Sequence, residues 1–455
     1  MVNLLLSALA GLLLSGAFEP IAKWWLAPIA LLVHMYAIER TDRRVLSAFV
    51  FAFTFNAFLL HWTSTYVGST PWIILSIGLS LFYMPLALIG RWGIAAYPLI
   101  FVILEEVRNR FPFGGFGWAR VAYSQADAPY AAIAARGGVI SLSAMTVLLA
   151  AFVYFAAHKN VKLLFVVPLL TLLIPNNIVE SNQTSVLMIQ GNVPELGLDF
   201  NARAKAVFNN HVAQTKVALA ENREVDFIVW PENAVDVDPY TNKDVFEELE
   251  SFNKPLIIGA IIGKGEKLFN TSILWGDKTQ DIYFKQHLTP FGEYLPLRSV
   301  AQKVSKYSSQ ITDFKAGEQN TVFDVNANKF NTLICYELIN DAFVAEASND
   351  FLVVQTNNAT FGDTNQLDQQ LNIARVRALE SARGIAYVST TGTTSFISPQ
   401  GKILSSLDKF KPATLKSQLN ATQGLTYRQS FGHLVEPLAM IVLLGLLLLR
   451  VRRGS

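Results

Sequence analysis

The chain has 455 residues, of which 51% are hydrophobic and only 16% charged, well below the quarter usual in soluble domains. Its formal net charge of +2 gives no electrostatic case for a nucleic-acid partner, and a single cysteine excludes a disulfide within the chain. Only 17 of the 37 basic and 35 acidic residues lie in 1–179, so an apolar N-terminal part precedes an ordinary globular one.

The chain opens with MVNLLLSALAGLLLSGAF, which lacks a basic leader and a small-residue cleavage site and so reads as a retained span. Val45 to Gly90 carries no charge, a length that suits two spans joined at GSTP, Gly68 to Pro71. With further spans expected over 2–18, 22–38, 93–107, 134–157, 161–176 and 433–450, seven precede the polar region and one follows it. The stretches 93–107 and 161–176 are short, and the last span carries Glu436.

Loop charges set the orientation of such a bundle. Arg40, Arg43 and Arg44, then Arg91, then Lys159 and Lys162, and finally Arg450, Arg452 and Arg453 mark alternate loops, all cytoplasmic if the N-terminus is. Arg108, Arg110 and Arg120 break the rule within NRFPFGGFGWAR, which reads as an interfacial element. A membrane domain over 1–179, a polar domain over 180–432 outside the cytoplasm, and a C-terminal helix with a basic tail over 433–455 follow.

From Ser185 the pattern turns to short apolar runs between helical stretches. SVLMIQ, DFIVW, PLIIGAII, DIYFK, NTLIC, FLVVQT and GIAYVST predict strands, and Asn201–Ala220 and Gln366–Ala382 predict helices. SFISPQGKIL predicts a hairpin turning at Pro399–Gly401. Strands alternating with helices over about 250 residues point to an α/β sandwich. No internal repeat, phosphate-binding loop or dinucleotide fingerprint is present.

Three strand ends carry functional groups. DFIVWPENA ends in Glu232, DIYFKQHLTPFGEYLP supplies Lys285 and Glu293, and NTLICYEL supplies Cys335, the lone cysteine, with Tyr336 and Glu337 behind it. Taken singly, each has a plainer explanation: a small buried hydrophobe, a solvated loop acid, a surface charge, a turn residue. Together they suit covalent catalysis, because a thiol attacks only as thiolate and needs a base or a cation nearby. Glu232 is then the candidate base, and Lys285 with the backbone N–H of Tyr336 the candidate holder of an oxyanion.

The ordered set WPE, YFK…PFGEYLP and ICYE resembles the nitrilase (carbon–nitrogen hydrolase) superfamily and its Glu–Lys–Cys triad. With seven spans before that domain and one after it, the chain resembles the apolipoprotein N-acyltransferase family. The likeness extends to GFGWARVAYSQAD, NNATFGD and ARVRALESARG. It departs at Thr360, where the family commonly has tryptophan, and at Asn358, which replaces an acid.

The resemblance implies an αββα sandwich beside a multi-pass helical membrane domain in the bacterial inner membrane, facing the periplasm. It implies Cys335 as acyl-accepting nucleophile, Glu232 as base and Lys285 as oxyanion stabiliser, with Glu293, Glu337 and Tyr336 in support. The acyl donor would be a membrane phospholipid and the acceptor a diacylated apolipoprotein, with the enzyme a monomer needing no cofactor. Phe291–Pro296 and Phe361–Thr364 are candidate water-excluding loops. The triad equally fits a membrane-tethered amidase or nitrilase, and a scaffold without chemistry is a third reading. The six histidines show no metal-ligand spacing.

Overall fold

The computed structural model describes residues 1–157, 178–193, 195–197, 204–221, 224–276, 281–299, 302, 312–346 and 349–454. These form two compact units, one of residues 1–176 with 426–455 and the other of residues 177–425.

The first unit is helical. Among the described residues its longer helices are α1 (Val2–Ser15), α2 (Leu26–Glu39), α3 (Arg44–Leu59), α4 (Ser69–Leu81), α5 (Tyr97–Arg108) and α6 (Ala134–Ala157), followed by a C-terminal helix over Val435–Gly454. The turn expected at Gly68–Pro71 falls earlier. Gly68 takes a φ of +85°, and Ser69 to Pro71 form the first turn of α4, where proline is tolerated because the first N–H groups have no intrahelical partner. In α6 the backbone kinks at Gly137 and Gly138.

Small residues let α1 and α3 pack closely. A Cβ on Gly11 would lie 2.4 Å from the Phe51 carbonyl oxygen, and the Ser7 and Ser47 hydroxyls bond at 2.7 Å.

Among the described residues, three stretches are long and apolar enough to cross a membrane: Ser69–Trp92, Ala131–Ala157 and Tyr427–Leu449. The apolar helices Val2–Ser15, Leu26–Glu39 and Arg44–Leu59 are shorter. At 1.5 Å per residue they fall short of the roughly 30 Å hydrocarbon core. The span expected over 161–176 lies outside the described residues.

Two of the three rule-breaking arginines have a physical explanation. Arg108 and Arg120 are fully buried rather than presented in a loop. Arg120 pairs with Glu106, which also accepts from Arg110, and Arg108 lies over the Tyr83 ring at 5.6 Å. Charges sequestered inside the protein are not loop charges, so they do not vote on orientation.

The second unit holds two six-stranded sheets. The first contains β1 (Val179–Gln190), β2 (Phe227–Val229), β3 (Leu256–Lys264), β4 (Lys267–Trp275), β5 (Ile282–Phe284) and, from far downstream, β12 (Ala413–Gln423), in the order β12-β1-β2-β3-β4-β5. The second contains β6 (Val322–Val325), β7 (Asn328–Ile334), β8 (Phe351–Thr356), β9 (Ile385–Ser389), β10 (Ser395–Ile397) and β11 (Ile403–Ser406), in the order β11-β10-β9-β8-β7-β6. Both share one pairing pattern: an antiparallel edge, three parallel strands, then two antiparallel ones.

Alternation along the strands sends one side chain to each face. Phe227 stacks on Phe330 and Phe351 of the other sheet, at 5.2 and 6.0 Å between ring centroids. Its neighbours Ile228 and Trp230 join an opposite core with Phe208 and Val212 of α7 (Ala206–Glu221) and with Val245 and Leu249 of α8 (Lys243–Glu250). Helix α9 (Gln366–Ser381) is buried along almost its whole length. The seven predicted strands and the hairpin all form, the latter closed by Gly401 N–H on the Ser398 carbonyl at 2.9 Å.

Candidate active site

The strand ends of both sheets meet at one buried polar cluster. From the first sheet come Glu232, three residues past β2, Asn270 in β4, and Lys285, the residue after β5. From the second come Cys335, the residue after β7, and Asn357, the residue after β8. The turn that carries Glu232 lies hard against β3, since a Cβ on Gly259 would meet the Pro231 oxygen at 2.3 Å and Glu232 Cα at 2.6 Å. Only glycine admits that approach.

Lys285 is 1% exposed and sits between two carboxylates, with Nζ 3.2 Å from Glu232 Oε1 and 2.8 Å from Glu293 Oε2. Asn270, absent from the sequence-based candidates, ties the same carboxylates together by donating through Nδ2 to Glu232 Oε1 and to Glu293 Oε1, each at 2.7 Å. The backbone completes the shell: Asn357 N–H donates to Glu232 Oε2 at 2.9 Å and Thr289 N–H to Glu293 Oε2 at 2.8 Å.

Burial works against the lysine's charge, but Glu232 and then Glu293 outweigh it and hold the ammonium well above its ordinary pKa. Burial likewise opposes the Glu293 charge, yet Lys285 and the Asn270 donor bring that carboxyl below its ordinary value. A cation therefore stays fixed in a dry site.

Cys335 adopts a φ of +51° directly after a strand. This is uncommon for a side-chain-bearing residue and costs of the order of 1–3 kcal/mol, a conformation found where a side chain must be aimed. Burial pushes the Cys335 thiol well above its ordinary range, Glu232 adds to the rise, and Lys285 opposes it. Gln370 on α9 donates through Nε2 to the sulfur at 3.4 Å.

Glu337 is brought close but does a different job. Its Oε1 accepts from Tyr283 Oη at 2.7 Å, Gln286 N–H at 2.8 Å and His287 N–H at 3.1 Å, while Oε2 accepts from Ile334 N–H at 2.8 Å. It thus pins the segment after Lys285 to the segment before Cys335. Burial pushes its carboxyl up to about 7, against the pull of Lys285 and of these donors. Tyr336 is nearly buried and stacks parallel to His287, centroids 6.2 Å apart. Beside Glu293, Phe291 and Leu297 are exposed apolar groups. Among the described residues no cluster of histidine, cysteine and carboxylate side chains could hold a metal.

The second unit has the two-sheet α/β fold of the carbon–nitrogen hydrolases, and the family of that description matches residues 188–428. The family described as the apolipoprotein N-acyltransferase N-terminal domain matches residues 10–152. The chain belongs to the apolipoprotein N-acyltransferase family. It is 30% identical to the apolipoprotein N-acyltransferase of Mycolicibacterium smegmatis, over 97% of this chain and 84% of that one. With the Haemophilus influenzae apolipoprotein N-acyltransferase it shares 28% identity, over 98% and 94%. Among solved structures, a Xanthomonas campestris protein of the CN-hydrolase superfamily superposes with a TM-score of 0.41 at 12% identity, covering 52% of this chain and 91% of that one.

Proposed function

We propose that the chain transfers a fatty acyl group from a membrane phospholipid to the N-terminal amine of a diacylglyceryl-cysteine on apolipoproteins. One observation carries this reading: a single chain joins an acyltransferase-specific helical domain to a carbon–nitrogen hydrolase domain whose Cys335, Lys285 and Glu232 converge in one buried site. A small-substrate amidase would leave the helical domain without a purpose.

In the first half-reaction Cys335 Sγ attacks the phospholipid ester carbonyl. Because the resting thiol is held protonated, its proton passes to Glu232 as the C–S bond forms. The oxyanion is stabilised by the Lys285 ammonium and by the Tyr336 N–H. The ester C–O bond then breaks, and Glu232 returns the proton to the departing lysophospholipid oxygen.

In the second, the uncharged acceptor amine attacks the thioester. Glu232 takes a proton from nitrogen, the C–S bond breaks, and that proton restores the thiol as the amide leaves. The thioester is more reactive toward nitrogen than the oxygen ester it came from, so the acyl group waits on sulfur and then passes downhill to the amide. Glu293 and Asn270 hold Lys285 and Glu232 in register, and Glu337 holds the nucleophile's segment.

The helical unit is then a multi-pass anchor in the bacterial inner membrane. The alternating basic loops support a periplasmic position for the 180–432 domain, where acyl donor and acceptor would both lie in the lipid. Phe291 and Leu297 offer apolar contact for lipid chains or for the closing of the site against water.

The deciding experiment is the intact mass of enzyme purified with phospholipid and no acceptor. A fatty-acyl adduct on Cys335, with about one lysophospholipid released per enzyme, supports the reading. Continuous release of lysophospholipid and free fatty acid would make water the normal acceptor and the protein a lipid hydrolase.

A further inference from the structure

The thiol's remaining partner comes from neither sheet but from α9, through a chain of buried amides. Gln370 is fully buried, and its Nε2 meets Cys335 Sγ at 3.4 Å. Its Oε1 accepts from Asn358 Nδ2 at 2.7 Å and from Gln366 Nε2 at 3.4 Å. Asn358, also fully buried, gives its second amide hydrogen to Gln366 Oε1 at 2.9 Å. Its Oδ1 accepts from Ser389 Oγ at 2.6 Å and from Thr356 Oγ1 at 2.9 Å.

The direction of this chain is set at its far end. Gly392 N–H donates to Ser389 Oγ at 2.9 Å, so the Ser389 proton is turned toward Asn358. A Cβ at position 392 would lie 2.7 Å from Ser389 Oγ and 2.9 Å from Asn358 Oδ1, which leaves the position to glycine.

An amide donates at one end and accepts at the other, so fixing one end decides what the other presents. With Oδ1 on the hydroxyls, Asn358 shows its NH2 to two glutamine oxygens. Gln370, its oxygen already engaged, shows its NH2 to the sulfur.

We propose that Gln370 is a further catalytic residue that donates a hydrogen bond to the Cys335 sulfur as it turns anionic, and that Asn358 is the positioning residue that keeps the donor end of Gln370 facing it. This rests on Cys335 being the nucleophile. The need for such a donor is electrostatic. Glu232 and Glu293 both disfavour a thiolate, and Lys285, which favours it, is shared with those same carboxylates. A neutral amide stabilises the anion in both half-reactions without bringing a charge that titrates.

Alkylation of the full-length enzyme by iodoacetamide between pH 6 and 9 tests this, because Cys335 is the single cysteine and gives the whole signal. Gln370→Ala removes the donor. Asn358→Asp has no donor, so both glutamines must turn their NH2 groups toward it, and Gln370 then presents oxygen to sulfur. Each variant should slow alkylation at pH 8 by about 10- to 100-fold, the change expected when an anion loses a hydrogen bond. In the double variant the Asp should add less than about threefold, since two residues acting through one contact are non-additive. Turnover should fall in kcat with the donor KM unchanged.

Unfolding moves the signal the other way, since an exposed thiol of ordinary pKa alkylates faster. If one variant alone speeds up, it has opened locally and the other decides. Unchanged or faster alkylation in both overturns the proposal, as does full additivity, which would mean that the new carboxylate acts by its charge alone. Acyl transfer by Cys335→Ala is measured in parallel. Retained transfer there removes the nucleophile reading, while the alkylation rates still decide whether Gln370 stabilises the sulfur anion.

Discussion

Replacing Lys285 with methionine keeps the length of the side chain and removes the charge from between two carboxylates. Nζ lies 3.2 Å from Glu232 and 2.8 Å from Glu293 in a side chain that is 1% exposed, so solvent does little to screen the loss. Removing one partner of a buried ion pair costs about 3–5 kcal/mol, chiefly because the remaining charge is left without compensation. For a unit of this size that corresponds to a fall of about 6–10 °C in Tm.

The pH dependence has a definite sign. Lys285 is held above its ordinary pKa, so its contribution is complete below about pH 10 and disappears only as the pH rises through the folded value. Glu293 is held below its ordinary pKa, so its contribution is present above about pH 4.3 and is lost on acidification. In Lys285→Met the two carboxylates, buried and alike in charge, take up a proton as the pH falls, and the variant regains stability. The Tm gap between wild type and variant, followed by tryptophan emission in detergent, should be widest near pH 8 and narrow toward pH 5. A gap that stays constant over that range, or no gap at all, would refute the account of Lys285 as a charge bound to two carboxylates.

Asn270→Leu removes the donor shared by Glu232 and Glu293; acyl-enzyme formation, followed by lysophospholipid release, should slow by about 10- to 100-fold, as for the loss of a hydrogen bond to a charged group. Glu337→Gln offers one acceptor oxygen where four donors converge and places an NH2 against a backbone N–H; urea titration should show a loss of about 1–3 kcal/mol. Cys335→Ala should abolish the acyl adduct in the intact mass. With Cys335 replaced, a cysteine put at the exposed hairpin residue Gln400 should react with an impermeant maleimide added to intact spheroplasts, and protection there would place the domain in the cytoplasm.

Hydrophobic runs made β1, β2, β3, β5, β7, β8 and β9 legible in the sequence, and those of β2, β5 and β7 led to Glu232, Lys285 and Cys335. Less visible were strands whose inner face is polar. In β4, Asn270, Thr271 and Ser272 are all buried, so KLFNTSILW lacks an apolar alternation while pointing an amide at two carboxylates. In β12, ATLKSQLNATQ is half exposed and reads as a loop, because only its pairing with β1 organises it. Gln370 gave no signal of its own. In a helix buried on nearly every side, an amide facing a sulfur looks in sequence like any polar helix residue. The short apolar helices were read as longer spans because composition marks where apolar chain begins and ends but not where the helix stops inside it.

The pairing of β1 with β12 has a bearing on how the domain is made. Val186 lies opposite Ser417, and Ile189 opposite Thr414, partners more than 200 residues apart in the chain. Contacts this distant in sequence form late and slow the approach to the native state. As the chain emerges, β1 can take its parallel neighbour β2 early, but its other edge stays open until the last strand arrives. An open edge is a template for pairing with other chains. The stretch from 179 to 190 is therefore where an unfinished or truncated chain is most exposed to misassembly, and where a chaperone would have most to cover.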